Sequence, residues 1–141
     1  MPSPPPVPAA EPPTGECLGE WSLRPEPLSA RLARRLVSQA LHGADEQVRR
    51  RAALITSELV GNGVLHARGG LLLTVHRLAS GWLVSVADDS AAPPVVKPVG
   101  PLTEEGRGMM IVQRVSEDFG WARTSTGKVV WACLADSVSP G

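Results

Sequence analysis

The chain predicts an α+β two-layer sandwich, a mixed and largely antiparallel sheet with helices on one face. Three observations lead there. Two consecutive stretches between residues 28 and 67 carry apolar residues at helical spacing. Two later stretches alternate apolar and polar positions around short Gly-containing turns, and a third helical stretch stands between them. Hairpin-built sheets bury one face, and amphipathic helices supply its cover.

Taken in order, Trp21 to Arg24 reads as a short edge strand, and Pro25 and Pro27 end its pairing and suit the approach to a helix. Leu28, Leu32, Leu36 and Ala40, flanked by Arg31, Arg34, Arg35 and Gln39, form an amphipathic helix that stops at Gly43. Asp45 then stands as N-cap of a longer helix whose stripe is Val48, Ala52, Ile55 and Leu59, broken after about Ala67 by Gly69-Gly70. Leu71, Leu73 and Val75 alternate with Leu72, Thr74 and His76, and after a turn at Ala79-Ser80-Gly81 Trp82, Val84 and Val86 alternate with Leu83, Ser85 and Ala87, which reads as a first hairpin. After a Pro-rich loop, Met110, Ile111, Val115 and Phe119 repeat at helical spacing. A second hairpin, Gly120 to Thr124 with Lys128 to Leu134, turns at Thr126-Gly127. Trp21, Trp82, Trp121 and Trp131 all fall on expected strands, where core packing accounts for them.

Composition narrows the function classes. The 141 residues leave room for one domain. The 14 Lys+Arg balance 14 Asp+Glu, which removes the net positive charge that non-specific phosphate-backbone binding needs. No apolar run approaches the roughly 18 residues of a spanning helix, so a soluble chain is expected. The N-terminus has neither the basic start nor the apolar stretch of a secretory signal, so the cytoplasm is the expected compartment. Cys17 and Cys133 lack paired metal-ligand spacing and read as free thiols. Seven of the 14 prolines lie within the first thirteen residues, and they predict a disordered Pro-rich tail over 1–16. A folded domain over 17–136 and a frayed end over 137–141 complete the division.

Three patterns carry chemistry. Glu58, Asn62 and His66 are spaced by four, so each drifts about 40° from the last and all share one side of the long helix, at the inner edge of its apolar stripe. Asp88 ends a buried strand, where its carboxylate accepts hydrogen bonds and suits an exocyclic amine. Gly106-Arg107-Gly108 opens a helix, and its amides and dipole favour an anion such as a phosphate. Each alone also fits an ordinary role: a helix-rim pair, a strand-ending turn, a helix-entry loop. Neither a third glycine at 111 nor a Walker P-loop is present.

In order, the segments Glu58-Leu59-Val60-Gly61-Asn62-Gly63-Val64-Leu65-His66-Ala67, Val86-Ala87-Asp88-Asp89-Ser90 and Gly106-Arg107-Gly108-Met109-Met110-Ile111-Val112 resemble the histidine-kinase-like ATPase superfamily with its Bergerat ATP-binding fold. The short lid and the closing Gly127-Lys128-Val129-Val130-Trp131 look most like the bacterial anti-sigma-factor serine/threonine kinases. The resemblance covers residues 21 to 135. It implies that Asn62 holds the Mg²⁺ bridging the phosphates of ATP and that Glu58 orients or deprotonates the attacking group. It further implies that Asp88 takes the adenine amine, that Ser90 and Ala92 belong to the first glycine box, and that Gly106, Arg107 and Gly108 face the phosphates. Residues between Ser90 and Glu105 then form the lid, with Pro93, Pro94, Pro98 and Pro101 stiffening it. One departure is Asp88-Asp89-Ser90-Ala91-Ala92, where the superfamily often has Asp-x-Gly-x-Gly; Ala92 reduces backbone freedom there and bears on affinity.

The implied activity is phosphoryl transfer from Mg-ATP to a serine or threonine of an antagonist protein, with a sigma factor and a homodimer as further implied partners. The alternatives are a non-catalytic ATP-dependent switch that binds a partner through an ordered lid, and a DNA-binding helical module using Arg31, Arg34, Arg35 and Arg49-Arg50-Arg51. Zero net charge favours a solvated helix face for those arginines.

Overall fold

A computed structural model describes residues 7–94 and 108–136 of the chain. Its elements run β1 (Glu16–Leu23), α1 (Leu28–Ala40), α2 (Glu46–His66), β2 (Leu71–Leu78), β3 (Gly81–Asp88), α3 (Gly108–Val115), β4 (Asp118–Arg123) and β5 (Lys128–Ala135). The strands form one sheet in the order β1-β2-β3-β5-β4, antiparallel at every pairing between them. The two-layer α+β architecture is the one the sequence predicts. Its parallel component is confined to a bridge between Ala9 and Trp121.

Side-chain parity builds the core. Leu71, Leu73 and Val75 of β2, Val84 and Val86 of β3, and Val130, Ala132 and Leu134 of β5 share the face that meets the helices. Ala33 and Val37 of α1 join them, with Val48, Ala52, Ile55, Leu59 and Val60 of α2. Gly63 permits the close approach of α2 to the sheet, because a Cβ there would lie 2.8 Å from Leu71 Cδ2. On the opposite face Leu83, Trp131 and Cys133 form a smaller buried cluster. Burial, with Asp118 nearby as a second cause, pushes the Cys133 thiol up to about 11. Both cysteines are free thiols. Among the described residues, no helix is long and apolar enough to cross a membrane.

Four expectations are corrected. The buried face of α1 is Ser29, Ala33 and Val37, one position on from the expected stripe, while Leu28 and Leu32 are exposed and Leu36 and Ala40 are only partly buried against the core. Residues 7–10 do not belong to a disordered tail: Val7 is 2% exposed and packs into the main core. The Trp121 N–H donates to Pro8 O (3.0 Å), the Ala10 N–H donates to Trp121 O (2.9 Å), and the Trp131 indole N–H donates to Ala10 O (2.9 Å). Proline removes donors but keeps its carbonyl, so a Pro-rich segment can still lie along an edge strand. The first strand begins at Glu16 rather than Trp21, with an irregular register between Cys17 and Gly19 that hides its alternation. Phe119 belongs to β4 and not to the third helix, because Glu117 N–H already donates to Cys133 O (2.8 Å) and draws the chain into the sheet. Residues 1–6, 137–141 and 95–107 lie outside the described residues, and with them most of the expected lid and Gly106 and Arg107.

Candidate functional site

The end of β3 carries the most buried charge. Asp88 and Lys128 are register partners on adjacent antiparallel strands, and both extend the core-facing parity of Val86 and Val130. Lys128 Nζ lies 3.0 Å from Asp88 Oδ1, with side-chain exposures of 0% and 1%. The Ser90 N–H also donates to Oδ1 (2.8 Å), closing an Asx-type turn as β3 ends. Among the described residues, both donors converge on the one oxygen Oδ1. Gly127 lets the β4–β5 turn lie flush on this strand end, since a Cβ there would stand 2.1 Å from Asp88 O.

The sequence makes Lys128 the first residue of a hairpin strand and part of the closing Gly127-Lys128-Val129-Val130-Trp131 segment, without a partner for its charge. The signal was present: it precedes Val130, Ala132 and Leu134 by even steps, which places a cation on the core face, where it needs a carboxylate.

Above the sheet, α2 packs on β3 and β5, and α3 packs on α2. Glu58 and Asn62 are both half-buried on α2, one turn apart. Asn62 Oδ1 is buried with no hydrogen-bond partner among the described residues. A buried amide oxygen costs free energy unless something satisfies it, so this atom is poised for a ligand. His66 is exposed and is the last residue of α2. Ser90 Oγ accepts from the Ala92 N–H (3.2 Å), while Arg123 Nη1 donates to Ala91 O (3.1 Å). These bonds hold the first residues after β3, up to a buried Pro94. Gly108 opens α3, whereas Gly106 and Arg107 lie outside the described residues. The arginine-rich helices have internal uses: Arg34 donates to Ser57 Oγ (2.9 Å) and Arg50 pairs with Glu46 (2.8 Å).

Asp89, unused in the sequence reading, clamps the α2–β2 turn. Its Oδ1 accepts from the Arg68 N–H (2.8 Å) and its Oδ2 from the Gly69 N–H (2.7 Å). The Arg68 backbone bond, with that of Gly69, holds the carboxyl below its usual 3.8. A lowered folded pKa means that the clamp's contribution is complete above pH 3.8 and is lost as pH falls through the folded value. Asp89→Asn cannot titrate, so the gap in urea midpoint between it and the wild type should shrink below about pH 4. A gap independent of pH would remove the carboxylate's role.

Asp88 is buried at the end of β3, on which α2 packs with its half-buried Glu58 and Asn62. The family model for the histidine kinase-like ATPase domain matches residues 23–134, and the chain belongs to that family. No curated protein sequence matches the chain.

Proposed function

We propose that this chain binds Mg-ATP and transfers the γ-phosphoryl group to a serine or threonine hydroxyl of an antagonist protein, with capture or release of a sigma factor as its output. Membership of an ATPase-domain family supports the nucleotide. The observation that carries the reading is the orphaned, buried Asn62 Oδ1 on α2.

The residues present fit magnesium. The Asn62 amide oxygen is a hard donor of the kind Mg²⁺ takes, and Mg²⁺ typically uses only one or two protein ligands beside substrate phosphates. When bound, the ion neutralises charge on the phosphates and aligns them. Asp88 Oδ2 accepts the adenine amine, with the Lys128 and Ser90 donors keeping the carboxylate in place. Glu58, one turn before Asn62, orients the acceptor hydroxyl and accepts its proton. The N-terminal amides of α3, which opens at Gly108, would take the phosphates, the role that the resemblance also implies for Gly106 and Arg107.

Titration with ATP in the presence and absence of Mg²⁺ tests binding, and labelled ATP with candidate antagonist proteins tests transfer. Asn62→Leu should lose the magnesium dependence of ATP affinity. Glu58→Ala should lower transfer by about 100-fold or more while ATP affinity holds. Tight ATP binding without transfer to any hydroxyl would leave a nucleotide-dependent switch in place of the kinase. Failure of the folded chain to bind ATP with Mg²⁺ would sink the reading.

A further inference from the structure

Residues 7–10, the docked leader, reach the candidate site through β4. The Trp121 N–H donates to Pro8 O (3.0 Å) and the Ala10 N–H donates to Trp121 O (2.9 Å), so both backbone groups on the outer side of Trp121 are taken. Gly120 lets the leader lie this close, since a Cβ there would stand 3.0 Å from Pro8 O. Val7 anchors the segment in the main core. Arg123 stands two residues on from Trp121, on the same face of β4, and sets its guanidinium over the Trp121 ring, 5.3 Å from the centroid. Its Nη1 donates to Ala91 O (3.1 Å), just past the turn that the Ser90 N–H closes on Asp88 Oδ1. A continuous set of contacts thus runs from the leader to the chain leaving β3, beside the Asp88 carboxylate. Arg123 is exposed, and contacts at exposed positions add little to folding. What this one fixes is the course of the backbone after Asp88.

We infer that Arg123 is a positioning residue for the nucleotide site and that the docked leader sets it: the leader fixes Trp121, Trp121 orients the Arg123 guanidinium, and Arg123 holds the Asp88–Ala92 turn. This rests on the reading that ATP binds beside Asp88. A loose turn must be ordered when nucleotide binds, and that ordering is subtracted from affinity, whereas a turn already held avoids the loss. Undocking the leader therefore weakens ATP binding without touching the site. By linkage, bound ATP tightens the leader by the same factor.

The test is a double-mutant cycle on the full chain, with Mg-ATP affinity read by calorimetry. Arg123→Met should weaken binding about 3- to 10-fold, the scale of one exposed charged hydrogen bond with its cation–π contact, while the urea midpoint stays unchanged. Val7→Asp places a carboxylate at a position 2% exposed, so the leader should leave β4, seen as a red shift of Trp131 emission, and ATP should weaken by a similar factor. The double variant should bind no more weakly than either single one, because both break one chain of contacts. Arg123→Lys, which can still donate to Ala91 O, should recover part of the loss. In the wild type, saturating ATP should slow hydrogen exchange of the Ala10 and Trp121 N–H groups by the same factor, and this decides even where Val7→Asp fails to fold. Unchanged affinity in Arg123→Met, effects that multiply in the double variant, or exchange indifferent to ATP overturns the inference while ATP binding stands. Absence of ATP binding by the folded wild type overturns it together with the nucleotide reading.

Discussion

Asp88→Ala should destabilise the domain by about 3–5 kcal/mol, the range for removing one member of a buried ion pair. The cost arises mainly at the residue left behind. Lys128 has no exposure through which to regain water, and Asp88 is its described partner. The Ser90 N–H loses its acceptor as well, which loosens the turn leading out of β3. A companion variant separates folding from recognition. Asp88→Leu with Lys128→Met removes both charges while keeping the site filled, so stability should return to within about 1–2 kcal/mol of the wild type. Nucleotide affinity should not return, because neither polar group remains. Urea unfolding followed by circular dichroism measures the first quantity, and calorimetry with Mg-ATP the second. A single variant that loses less than about 1 kcal/mol would show that water or backbone rearrangement satisfies Lys128.

Removing residues 1–10 should lower stability by about 2–4 kcal/mol. Burial of a Val side chain is worth roughly 1.5–3 kcal/mol, and a net hydrogen bond about 1 kcal/mol. Val7 fills part of the main core, and Ala10 O is the acceptor of the Trp131 indole. Truncation also strips the backbone partners from Trp121 and leaves β4 as an open edge, so self-association should rise with concentration. Tryptophan emission should shift to the red as Trp131, 2% exposed in the intact chain, gains water. Light scattering and urea midpoints check both consequences. An unchanged midpoint would mean that the docked segment is dispensable.

Particular elements show why some of this was legible and some was not. The helices α1 and α2 were readable because apolar residues recur every three or four positions and Asp45 stands at the N-cap of α2, although α1 ends at Ala40 with Leu41 as its C-cap, short of Gly43. The β2–β3 hairpin was readable because its inner and outer residues alternate without interruption. β1 was half-seen, since its pairing slips between Cys17 and Gly19 and a period-two pattern does not survive such an irregularity. Phe119 continued the helical spacing of α3, yet competition from β5 for the backbone at Glu117 ended the helix earlier.

The candidate site divides along the same line. Asn62 and Glu58 stood out because four-residue spacing puts them on one side of a helix. That Asn62 Oδ1 lacks a described partner is a property of packing, and no local pattern reports it. Asp88 was noticed at a strand end, whereas Asp89 was passed over although it holds the α2–β2 turn through two backbone N–H groups about twenty residues earlier. Lys128 was legible as the start of a strand, but its pairing with Asp88 depends on strand register, which no local pattern reports.

By itself the sequence determined the element types, their order, the core-facing stripe of α2 and the motif order of a histidine kinase-like ATPase domain, but not the face of α1, which buries Ser29, Ala33 and Val37 and leaves Leu28 and Leu32 exposed. What it determined depends on interactions within a few residues, where periodicity and turn chemistry act. Only the tertiary structure decided that a Pro-rich leader docks on β4 and that Asp88 and Lys128, 40 positions apart, meet in a buried pair. Such pairings are set by strand register and by the cost of burying unpartnered polar groups, and both exist only once distant segments come together.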